Sequence, residues 1–132
     1  MENKENREKE IIEFNFLDMQ LRQLEQQAML LEQQIVEQQK IILNLDELKK
    51  AKKGQNVLFP LSKDIFIEGK IENPEEVFVN IGSKTIAKKS IEEAKLIEEN
   101  QIKKLIEINE EIKAEIEKIL LRITKLEKKL NG

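Results

Sequence analysis

Histidine, cysteine, tryptophan and tyrosine do not occur in this chain of 132 residues, and its aromatic content is five phenylalanines. Without His or Cys there is no thiol nucleophile, no Ser-His-Asp triad and no zinc site built from nitrogen or sulfur ligands. No catalytic residue, metal site or cofactor is expected. The remaining candidates for chemistry are carboxylates such as Glu92, Glu93, Glu98 and Glu99, and a charge run of that kind reads as a solvated helix face. Without cysteine there are no disulfides, which suits a reducing compartment, so the cytoplasm is the expected location. No apolar run approaches the roughly 20 residues that span a bilayer, and MENKENREKE at the start has no apolar stretch of the signal-peptide kind. An excess of one charge is lacking too. With 23 basic and 26 acidic residues there is no broad basic field for nucleic acid or an anionic membrane. The short basic clusters around Lys49 to Lys53 and at Lys88-Lys89 have no interleaved aromatics.

Glycine and proline are scarce, and where they fall organises the chain. Gly54, Pro60, Gly69, Pro74 and Gly82 lie in the middle, while residues 1–53 and 83–131 contain neither. The expected layout is one domain over 1–132: a helix over 1–53, a turn-rich segment over 54–89 and a second helix over 90–132.

In the first segment Phe14, Leu17, Leu21, Leu24, Ala28, Leu31, Ile35, Gln38, Ile42 and Leu45 alternate in steps of three and four. That is a coiled-coil seam. Gln38 is its polar position, read either as a register-fixing residue or as a tolerated gap. Lys52, Lys53 and then Gly54 form a helix stop. The last segment opens on Ser90-Ile-Glu-Glu93, a capping box. Its apolar seam reads Leu105, Ile108, Ile112, Ile116, Ile119, Ile123, Leu126 and Leu130, with two successive steps of four, a stutter, at 108–112–116. Two helices of this length with narrow seams pair with each other as an antiparallel coiled-coil hairpin.

Between them the period drops to two. Val57 to Leu61 reads as a strand whose Pro60 must avoid a ladder donor position. Ile65, Ile67 and Ile71 alternate with Phe66, Glu68 and Lys70; Val77, Val79 and Ile81 alternate with Phe78 and Asn80; Thr85 to Lys88 makes a fourth, short strand. The spacing predicts two successive β-hairpins. Segments this small cannot enclose a core, and open strand edges are templates for pairing. Phe59, Ile65, Phe66, Ile67 and Ile71, with Val77, Phe78, Val79 and Ile81, are therefore the expected assembly residues. The competing arrangement lays the strands on the helices of the same chain.

The order helix, two hairpins, helix resembles the alpha-subunit family of archaeal prefoldin. The residues that carry the resemblance are VLFPLSKDIFIEGKI at 57–71 and VFVNIGSKTIAKKSIEEA at 77–94. Within them Phe59-Pro60-Leu61, Ile67-Glu68-Gly69, Val77 to Gly82, and Glu93-Ala94 match the family pattern. Ser62 and Ser83 stand where family members often carry glycine. The resemblance implies an α+β fold, a long antiparallel coiled-coil hairpin whose helices are joined by two β-hairpins that form an oligomeric β-barrel body. It further implies two alpha and four beta subunits in a hexamer, and ATP-independent binding of unfolded proteins at the coiled-coil tips. It also implies their delivery to a group II chaperonin. The beta subunit has a single hairpin, so two hairpins favour alpha.

Holding an unfolded client needs exposed apolar surface. Ile12, Phe16 and Met19 fall off the seam at i, i+4 and i+7, with Ile11 beside them, and in an antiparallel hairpin they lie opposite roughly 120–130, where Leu120 and Leu121 are also surplus to the seam. These six are the expected client-binding residues. The competing readings are packing on one another or on a neighbouring coiled coil, and fraying at the termini. Ile41, Leu43 and Leu48 lie nearer the strands and are expected to dock there. A structural coiled-coil protein or filament former is the alternative function, separable by sizing the chain with and without a beta subunit.

Overall fold

The computed structural model describes residues 4–131; the outermost positions of the expected segments, 1–3 and 132, lie outside the described residues. The elements run α1 (Lys4–Lys49), β1 (Asn56–Pro60), β2 (Phe66–Lys70), β3 (Glu76–Gly82), β4 (Thr85–Ser90) and α2 (Ile91–Asn131). Two compact units result. One holds 4–36 with 103–131, and the other 37–102. Among the described residues no helix is long and apolar enough to cross a membrane.

The first unit is a pair of helical stretches in which numbers rise on one as they fall on the other. Glu13 meets Arg122, Glu10 meets Lys129 at 3.6 Å, and Glu32 meets Lys113 at 3.1 Å. Its buried apolar residues are Ala28 from α1 and Ile119, Ile123 and Leu126 from α2. The α1 seam is as its spacing predicts: its members are half-buried or buried and flanked by exposed residues, apart from partly covered polar ones such as Glu13, Asp18 and Gln20.

On α2 the seam differs from the apolar reading. Ile108 is exposed, and its neighbour Asn109 is buried, with 7% of its surface accessible. The inward positions are therefore Ile102, Leu105, Asn109, Ile112, Ile116 and Ile119, alternating three and four without a stutter. In that position the side chain of Asn109 interacts with the carboxylate of Glu32 on α1. The bond to Lys113, and then that to Asn109, hold the Glu32 carboxyl below the usual range. The Oδ1 of Asn109 is buried without a donor, which costs desolvation energy that nothing returns. Replacing Asn109 by leucine is expected to raise the stability of the chain by about 1 kcal/mol, since the orphan oxygen goes and a methyl-bearing side chain enters the seam. Urea titration followed by helicity checks it; a fall of similar size would mean that the Asn109–Glu32 pair is net stabilising.

The second unit carries both hairpins. Each is its own two-stranded antiparallel sheet, β1 with β2 and β3 with β4. α1 closes at Lys49, short of the expected stop at Gly54, and Lys50 and Ala51 already bond three residues back. Gly54 serves the hairpin instead: with φ of 83° it turns the chain so that its N–H reaches Ile71 O at 2.7 Å. The β3–β4 turn places Ser83 and Lys84 at φ of 49° and 63°, the two-residue geometry with both central residues left-handed. The short Asn80 side chain accepts the Gly82 N–H at 3.0 Å across the bulge. At the start of α2, Ser90 Oγ accepts the Glu93 N–H at 3.1 Å, the cap expected from the sequence.

The two hairpins differ in their cover. In the second, Val77, Val79 and Ala87 are half-buried, and Val77 and Val79 share a cleft with Ile41, Leu45, Ala94 and Ile97. On that side Val77 and Val79 of β3 face residues of both helices across the cleft, and Ile41, though exposed, lines it too. Leu43 is exposed and does not. The first hairpin has no such cover, and apolar side chains stand exposed on both of its faces: Phe59 and Ile67 on one, Leu58 and Phe66 on the other.

Candidate functional site

Two surfaces carry the residues singled out in the sequence. The first lies in the helical unit. Ile11, Ile12, Phe16 and Met19 on α1, and Leu120 and Leu121 on α2, are all exposed; Ile12 and Phe16 are the most open of these four α1 residues, at 68% and 63%. The heptad phase explains this. Phe14, Leu17 and Leu21 fill the inward positions, so apolar residues out of phase with them face solvent.

An ion pair fixes the helices at that level. Arg122 donates from Nε to Glu13 Oε1 at 2.7 Å and from Nη2 to Oε2 at 3.1 Å, a forked pair that sets both distance and orientation. Arg122 holds the Glu13 carboxyl below its ordinary range, and the same bond raises the arginine. Arg7 adds a hydrogen bond to the Leu130 carbonyl at 3.1 Å. The apolar stripe therefore sits on helices that are held together, with its six side chains exposed.

The second surface is the hairpin pair. Phe59, Ile65, Phe66, Ile67, Phe78 and Ile81 are exposed, and Ile71, Val77 and Val79 are half-buried. Sequence reasoning passed over Leu58, Leu61 and Ile86, which are as open as the rest. The signal for Leu58 was present, since it alternates with Val57 and Phe59; Ile86 lies in β4, a strand with only one other apolar residue, Ala87. Phe59 is positioned by a glycine. A Cβ on Gly69 would come within 2.6 Å of Phe59 Cε2, so the ring lies across the backbone of β2, where only glycine leaves room.

The arrangement offers apolar area and open strand edges, and its chemistry is that of association. The family model "Prefoldin subunit" matches residues 17–132. The chain is 31% identical over 83 residues to prefoldin subunit alpha 2 of Thermococcus kodakarensis, covering 63% of this chain and 58% of the relative. It is 25% identical over 123 residues to prefoldin subunit alpha of Thermofilum pendens, covering 93% of this chain and 95% of that one. Among solved structures, filamentous PFD from Methanocaldococcus jannaschii superposes with a TM-score of 0.77 at 25% identity, covering 87% of this chain and 95% of that one. Helix, two antiparallel hairpins and helix, with a family match over most of the length, place the chain in the prefoldin family.

Proposed function

We propose that the chain is an alpha-type subunit of an ATP-independent cytoplasmic chaperone. In this reading two copies join four beta subunits through their β-hairpins, which complete a barrel body that one chain alone does not close. The coiled coils then hold unfolded proteins on Ile11, Ile12, Phe16, Met19, Leu120 and Leu121 and pass them to a group II chaperonin.

One observation carries the client site. Apolar side chains from both helices, all exposed, occupy one stretch of a unit whose helices are clamped by Glu13 and Arg122. Contiguous exposed apolar surface of that kind marks binding sites. Met19 adds an unbranched, polarizable side chain that adapts to varied partners.

The test replaces Ile12, Phe16, Met19 and Leu121 with serine. The variant is expected to suppress aggregation of a denatured protein less well than the parent, while its assembly with beta subunits keeps the same mass. Equal protection by the variant sinks the site assignment. A second reading, an open filament, is favoured by the likeness to a filamentous relative. Native mass with and without a beta subunit separates the two: a discrete hexamer only in the mixture supports the chaperone, and polymers of this chain alone support the filament.

A further inference from the structure

The first hairpin contains an asymmetry between its two edges. Leu61 N–H donates to Ile65 O at 2.8 Å and Ile71 N–H to Gln55 O at 3.0 Å, and the register pairs Val57 with Gly69 and Phe59 with Ile67. Odd-numbered residues therefore bond within the hairpin, and even-numbered ones turn their backbone groups outward. On β1 the outward residues are Asn56, Leu58 and Pro60, so that edge lacks a donor at its end. This is also why Pro60 is tolerated in the strand. On β2 they are Phe66, Glu68 and Lys70, and every donor and acceptor is present. Among the described residues neither edge is paired.

Charge selects what the β2 edge can accept. Glu68 and Lys70 are the only charged residues of β1 and β2. They share a face, and among the described residues neither forms an ion pair. Two residues apart on one strand, they stand about 7 Å from each other.

We propose that β2 pairs antiparallel with β2 of a second copy of this chain, about a two-fold axis at Gly69. The proposal rests on the reading that the hairpins assemble, and it names one partner and the register. Glu68 then lies opposite Lys70 of the second copy, and Lys70 opposite its Glu68, as outward-facing residues that exchange backbone bonds. On the other face Ile67 meets Ile71 of the copy, and the two Gly69 residues meet at the axis. There the absence of a Cβ leaves room for the Phe59 ring of each copy. A register centred on Glu68 sets two carboxylates directly opposite each other, which is unfavourable. A register centred on Ile67 leaves Glu68 facing Phe66. Only the Gly69-centred pairing matches both charges, and it joins the hairpins into a four-stranded sheet, β1-β2-β2-β1.

Sedimentation or native mass of the full chain over a concentration series tests this. The parent is expected to self-associate. E68K or K70E alone weakens that by roughly tenfold, because two cross-strand pairs turn from attraction to repulsion. Mixing E68K with K70E restores association as a one-to-one heterodimer, and the double swap E68K/K70E self-associates again. The chain has no cysteine, so a mixture of I67C and I71C should cross-link on oxidation while each alone should not. Single variants that associate like the parent, or a mixture no better than its components, overturn the pairing. If the parent is monomeric alone but enters a hexamer with beta subunits, the pairing falls and the assembly reading stands; if it does neither, both fall.

Discussion

Truncating Leu126 to alanine is expected to destabilise the chain by about 3 kcal/mol, the middle of the range for a buried leucine. Among the described residues Leu126 is one of two large side chains that are fully buried, with 0% of its surface accessible. The helical unit holds few other buried apolar residues to share the loss. A pair of helices is one layer thick on either side of its seam, so a hole there borders solvent and can collapse only by moving a helix. Comparison within α2 makes the expectation sharp. Leu121, five residues earlier and 63% exposed, should change stability by less than about 0.5 kcal/mol on the same truncation. Urea unfolding of both variants, read by far-ultraviolet circular dichroism, decides it. If the two truncations cost the same, the seam assignment is wrong.

That contrast between Leu126 and Leu121 was legible in the sequence, because both are leucines and only their heptad phase differs. The α1 seam, the two hairpins, the Ser90 cap and the outward stripe at Ile12, Phe16 and Met19 were legible for the same reason: each is a local pattern of period 3.5 or 2, or a cap at fixed spacing. The phase of α2 near its middle was not. An apolar-only reading prefers Ile108 to Asn109, yet Asn109 is the buried one, and its side chain interacts with Glu32, far away in the chain. Such a partner is set by the fold and leaves no mark in the neighbouring residues. The end of α1 was misjudged through Gly54, whose positive φ suits a helix stop and a hairpin entry equally. Cover was the other illegible property. Nothing local distinguishes Val77 and Val79, half-buried beside Ile41 and Leu45, from Phe59 and Ile67, which stand open. The alternation predicts both as strands; it does not say which hairpin the helices of the same chain will reach.

The open hairpin sets the largest expected effect on assembly. Replacing Phe59 and Phe66 together with serine should raise the dissociation constant of the oligomer by roughly 10- to 100-fold, since association buries the exposed half of each ring, about 0.75–1.5 kcal/mol apiece. The two rings stand on opposite faces of the hairpin, as their direct partners Ile67 and Pro60 show, so the pair removes apolar area from both sides of the sheet. Both are about half exposed in the single chain, and neither belongs to the buried sets of the two units. Folding of the helices should therefore survive, with the circular dichroism spectrum and the urea midpoint of the dissociated chain close to the parent's. Serine keeps the backbone donors and acceptors of both strands, so a loss of association would report lost apolar contact and not a broken ladder. Substituting Phe78, which is 71% exposed on the second hairpin, supplies the comparison. If Phe78→Ser dissociates the oligomer and the Phe59/Phe66 variant does not, the joining surface lies on the second hairpin, and the first is free for another partner.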